Sequence, residues 1–157
     1  MALRSQAAPA IDGKLLGVSE SDLLLAFDSA QKLRKPSLGP HGLRGLWVLL
    51  DTQISGLPFV TTFYMRDKLV QRIEQYWATT ERLCANRPSL SNLLLDMKEK
   101  YGTGLSSSDF GEGDTQLQST VWEAGTVDVL MHQSLSPSQC SIRVIYKEHE
   151  TKDASEL

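Results

Sequence analysis

Apolar positions along this chain follow a helical rhythm, then a strand rhythm, and then both again. The first helical stretch opens at Ser19, whose hydroxyl is placed to accept from a first-turn amide, with Asp22 three residues on to reach back. It runs from Glu20 to about Gln31 and buries Leu23, Leu24, Phe27 and Ala30. Pro36, Gly39, Pro40 and Gly42 end it in a loop. Residues 44–51 are apolar on both faces, as an inner strand requires. Residues 57–65 and 68–77 alternate with period two around turns at Ser55-Gly56 and Arg66-Asp67, which predicts a three-stranded meander.

A second helix is expected between Thr79 and Tyr101. Its strongest part places Leu90, Leu93, Leu94, Met97 and Tyr101 on one stripe, with Lys98 and Lys100 near the C-terminal dipole and Gly102 at the stop. Pro88 either opens this helix or kinks a longer one beginning near Thr80. Residues 103–116, rich in Gly, Ser and acid, predict a loop. Three strands follow at 117–123, 126–133 and 140–147, with Leu117, Val121, Val127, Val129, Met131, Cys140, Ile142, Val144 and Tyr146 facing the core.

The expectation is an α+β domain over residues 15–147, in the order α-βββ-α-βββ. A mostly antiparallel sheet of about six strands carries both helices on one face. A flexible lead-in (1–14) and tail (148–157) flank it. Helix and strands recur as a duplication of elements, with little self-similarity between residues.

At 157 residues the chain suits one domain. A net charge of −3 and the lack of any Lys/Arg run argue against phosphate-driven nucleic-acid binding. The longest apolar run, Leu46–Leu50, is far too short to span a membrane. The opening residues suit either a cytosolic start or a mature secreted segment behind an added Met. Cys84 and Cys140 are read in two ways: two buried reduced thiols, or one disulfide. Neither has a His or Cys at metal-ligand spacing. A disulfide would place the protein outside the reducing cytosol.

Catalytic signatures are missing: no phosphate-binding glycine loop, no H-E-x-x-H and no G-x-S-x-G occurs, and nothing calls for a cofactor or a metal. Asp128 and His132 share a strand face but stand about 13 Å apart at four strand positions. Asp109, Glu112 and Asp114 lack the spacing of a calcium loop and read as solvated acids.

What remains is a surface. The sheet face opposite the helices is expected to carry Tyr64, Arg72, Glu74, Tyr76, Thr120, Trp122, Asp128, Leu130, His132, Arg143 and Ile145, with Trp47 joining if its strand keeps the same register. Aromatic residues and Arg are the types enriched where proteins bind one another. Tyr64, Arg72, Tyr76, Trp122, His132 and Arg143 are therefore the candidate partner-binding residues.

Gly17-Val18-Ser19 before the first helix, Lys100-Tyr101-Gly102 closing the second, and Ile142 to Tyr146 as a terminal strand together resemble small secreted or periplasmic bacterial proteins. These are the repeats of the beta-lactamase inhibitory protein and the SmpA/OmlA-like domains. The likeness spans most of residues 15–147, although a lipobox cysteine is lacking. It implies an extracytoplasmic, non-enzymatic protein of inhibitor or immunity-protein type that binds another protein across its sheet. The rival expectation is a cytosolic adaptor or secretion-chaperone-like protein with reduced thiols.

Overall fold

The computed structural model describes residues 10–149. The remainder of the expected lead-in and tail, residues 1–9 and 150–157, lies outside the described residues. Eight strands form one antiparallel sheet: β1 (Gln31–Leu38), β2 (Arg44–Ile54), β3 (Leu57–Arg66), β4 (Leu69–Thr79), β5 (Leu105–Phe110), β6 (Gln116–Ala124), β7 (Val127–Leu135) and β8 (Cys140–Glu148). Across the sheet they run β1-β2-β3-β4-β8-β7-β6-β5. Helix α1 (Glu20–Ala26) precedes β1 and helix α2 (Pro88–Tyr101) precedes β5.

The sheet thus has eight strands rather than about six, and the order is α-ββββ-α-ββββ. The two strands missed from sequence are the two edges. The segment Gln31–Leu38, expected as a helix end and loop, is β1. The segment Leu105–Phe110, expected as a loop, is β5, and every one of its residues is exposed. An edge strand is held by backbone hydrogen bonds to one neighbour, so it needs no apolar alternation for a sequence reading to detect. Accordingly α1 stops at Ala26, where Phe27 leaves helical geometry to stack its ring 5.8 Å from that of Phe63. Pro88 occupies the first turn of α2, and Cys84–Asn86 forms a separate 3-10 turn before it, so the second helix is unkinked.

The strand order reads the same from either edge, because the chain folds twice into one helix and four strands. Counterparts in the two halves stand 70 positions apart. Ser19, Ser21, Leu23, Leu24, Leu25 and Phe27 correspond to Ser89, Ser91, Leu93, Leu94, Leu95 and Met97. The hairpin closing at Ile54↔Leu57 matches that at Ala124↔Val127, and Met65↔Val70 matches Leu135↔Cys140. The halves meet where β4 pairs with β8, on a local two-fold axis. Self-similarity is therefore present in the residues, concentrated in the helices and the hairpin registers.

Both helices pack on one face of the sheet. Leu23 of α1, Phe27 just after it, and Leu90, Leu93 and Met97 of α2 close over Phe59, Phe63, Ile73, Trp77, Val129, Ile142, Val144 and Tyr146. Trp47 belongs to this covered face, not the open one. It lies opposite Phe63 and donates its indole N–H to Glu20 at 3.1 Å, tying β2 to α1. Cys84 and Cys140 stand at disulfide distance with Cα atoms 6.2 Å apart, joining the approach to α2 to the start of β8. No helix among the described residues is long and apolar enough to cross a membrane.

Candidate functional site: the open sheet face

Strand alternation brings five of the six candidate side chains to one face. Tyr64 lies opposite Arg72, Tyr76 lies opposite Arg143, and His132 lies opposite Arg143 from the other side. The candidates therefore come from β3, β4, β8 and β7, across the junction of the two halves.

At the centre, Glu74 is buried between two guanidinium groups. Arg72 Nε donates to one carboxylate oxygen at 2.8 Å and Arg143 donates to the other at 2.6 Å. Arg143 also lies over the ring of Tyr76, 4.6 Å from its centroid, within cation–π range. The arrangement fixes two long, charged side chains on the face. Tyr76 remains 40% exposed beside it. Val60, Leu105 and Leu117 add exposed apolar surface on the same side.

Tyr64 is on this face but only 8% exposed, because the turn at Gly39–Leu43 folds over it. Burial, followed by the nearby Glu74 charge, pushes its hydroxyl above the ordinary phenol range. Its ring is therefore packed beneath that turn rather than open to solvent.

Trp122 is not on this face. It pairs with Val129, is 1% exposed, and donates its indole N–H to the Gly102 carbonyl at 2.9 Å. Thr120 turns inward with it, and Leu117 and Val121 turn outward, so β6 sits one position out of the expected parity. Leu117 and Val121 give the other parity an apolar pair in sequence. The larger burial of the indole, capped by Tyr101 with ring centroids 6.2 Å apart, selects the parity that carries Trp122.

His132 and Ser119 share a hydrogen bond of 2.9 Å, the spacing of a base and a nucleophile. Their surroundings work against that chemistry. Burial, then the charges of Arg143 and Arg72, push the imidazole below its ordinary 6.5. Its second ring nitrogen has no carboxylate partner among the described residues. The carboxylate of Asp128 pairs instead with His149 at 2.8 Å, and Glu123 joins them, all three ligand atoms lying within 4.8 Å of one another. That cluster was not legible in sequence because His149 follows the last strand.

The two histidines should titrate in opposite directions, as side-chain NMR would show. His132 should reach half-protonation below 6.5 and His149 above it, with Asp128→Asn bringing His149 back towards 6.5. The linkage signs differ as well. The contribution of His132 to stability is complete above the unfolded value and is lost as pH falls through its depressed folded value. That of His149 is complete below the unfolded value and is lost as pH rises through its raised one. Coincident titration of both residues near 6.5 would contradict these environments.

The face combines fixed cations, an exposed aromatic ring and flanking aliphatic groups, chemistry suited to non-covalent recognition of a protein surface. Comparison with known protein families, with curated proteins and with solved structures finds no match to this chain.

Proposed function

We propose that this chain is a non-enzymatic protein-binding domain of inhibitor or immunity-protein type, working outside the reducing cytosol, that takes hold of another protein with its open sheet face. The observation that carries this reading is the cluster on Glu74. Both helices pack on the opposite face, and the open one presents Tyr76 under Arg143, with Arg72 and Arg143 held by a single buried carboxylate. Two arginines on one glutamate leave a net positive centre, so the matching surface is acidic at its middle and apolar at its margin.

The location rests on Cys84 and Cys140, which stand at disulfide distance and are fully buried. A free-thiol count on denatured, unreduced protein from its native source is expected to give zero. Two free thiols would move the reading to a cytosolic adaptor.

The binding face is tested by placing a photo-crosslinking residue at position 76 and, as a control, at Leu95 on the helical side. The position-76 protein is expected to capture one partner that the position-95 protein does not. With that partner purified, Tyr76→Ala is expected to weaken the complex by more than about 1 kcal/mol while leaving unfolding unchanged. Arg143→Ala should weaken it as much but also lower stability, since it takes one of two cations from the buried Glu74. Unchanged affinity in both variants would remove the sheet-face model.

A further inference from the structure

A cavity of about 600 Å³ opens on the helical side, between the connection from α1 to β1, α2 and the sheet. Its size falls in the range of small-molecule sites. It lies beside the junction of the two halves, walled by Phe27 just after α1, Leu93 and Met97 from α2, and Leu49 from β2. Phe27 and Met97 are counterparts in the internal repeat, so equivalent positions of the two halves flank the space.

The floor is polar where the core is otherwise apolar. Gln75 stands between Ile73 and Trp77 on the helix-facing side of β4 and is only 1% exposed. Its single hydrogen bond among the described residues joins its amide to Thr61 Oγ1 at 3.3 Å, and Thr61 in turn meets Thr52 at 2.9 Å. Whichever way round the amide is set, one of its two polar atoms is left over. Gln75 lines the cavity, so the space beside it is where a partner for that second atom can be supplied. A Gln at the middle of a core strand costs stability unless something answers it.

The mouth is acidic. Asp51 and Asp96 both line it, and neither has a cationic partner among the described residues. Their hydrogen bonds come from the neutral Gln53 and Ser55. Lys100 also lines the cavity, but its ammonium pairs with Asp12 at 3.3 Å. The ionic balance at the mouth is therefore negative.

We propose that this cavity binds a small amine with an apolar body and a second hydrogen-bonding group at its far end. The body lies among Phe27, Leu93 and Met97, the ammonium faces Asp51 and Asp96, and the far group meets the free half of the Gln75 amide. This site is independent of the open face, being on the other side of the sheet.

Protein-observed NMR titration of the full chain tests it with three matched probes: tyramine, phenethylamine, which lacks the hydroxyl, and 3-(4-hydroxyphenyl)propionate, which replaces the amine by an acid. Tyramine is expected to bind saturably, shifting resonances of Gln75 and Met97, with a dissociation constant below about 1 mM. Phenethylamine should bind about tenfold more weakly, the value of one unmatched hydrogen bond. The acid should bind at least about tenfold more weakly again, through repulsion at the mouth. Gln75→Leu, which fills the same space without a polar group, should erase the preference for tyramine over phenethylamine. Asp96→Asn, at the rim, should narrow the preference for amine over acid. Absence of saturable binding by either amine, equal binding of the acid, or a hydroxyl preference that survives Gln75→Leu would overturn the proposal.

Discussion

Trp122→Ala is expected to destabilise the domain by about 3–5 kcal/mol, a large share of the roughly 5–15 kcal/mol that holds a domain of this kind together. Three losses add up at this one position. The indole is 1% exposed and among the largest fully buried side chains, so its removal leaves a cavity in the core. Its N–H holds the Gly102 carbonyl, which sits at the C-terminal end of α2. Its ring also packs against Tyr101 and fixes the approach to β5, where Gly104 comes so close that an added Cβ would lie 2.6 Å from the indole nitrogen. Urea unfolding followed by circular dichroism measures the loss, with Tyr76→Ala as the surface control at under about 1 kcal/mol. A Trp122→Ala protein as stable as the wild type would mean that β6 is paired in the opposite register, with the indole outward.

That alternative register is the one the sequence suggests, and the reason is instructive. In β6 both parities contain apolar residues, Leu117 and Val121 on one and Trp122 on the other, so alternation alone gives no decision. In β4, β7 and β8 one parity is clearly the more apolar, and Ile73, Val129, Met131, Ile142, Val144 and Tyr146 are where their alternation puts them. Tyr76, Arg72, His132 and Arg143 follow from the same parity, which is why most of the open face was legible. The Glu74 clamp was not, because it joins residues 69 positions apart through a strand pairing that no local pattern announces. The burial of Tyr64 was hidden for a similar reason: it depends on the path of the Gly39–Leu43 turn.

The edges β1 and β5 escaped for a different physical reason. A periodic signal arises only where one face of a strand is buried against something. The sequence Leu-Ser-Ser-Ser-Asp-Phe of β5 is exposed along its whole length, with Leu105 at 79% and Phe110 at 80%. β1 carries Lys32, Arg34, Lys35 and Pro36 and breaks register between Lys32 and Ser37, features that discourage pairing with another chain. The internal repeat offers what local pattern lacks. Once the helices are aligned at Ser19 and Ser89, a strand found before one inner hairpin implies a strand before the other.

Breaking the Cys84–Cys140 link is expected to cost about 4 kcal/mol, comparable to the loss of Trp122 but by a different route. The two cysteines are 56 positions apart, and the loop they close contains α2, β5, β6 and β7. Closing so long a loop removes conformations mainly from the unfolded chain, so the native fold should persist in the variant while its unfolding midpoint falls. The repeat supplies a suitable replacement: Cys140 stands where the first half has Val70, also fully buried. Cys84→Ala with Cys140→Val therefore removes the link while keeping an apolar core residue that this fold already uses at the equivalent place. Its thermal midpoint should fall by about 10 °C, at about 2–4 °C per kcal/mol for a chain of this size. Under non-denaturing conditions the wild type should resist thiol reductants until it opens, since both cysteines are 0% exposed. A variant within about 1 kcal/mol of the wild type would show that the second half holds its shape by packing alone. The location argument would then rest on the thiol count and not on stability.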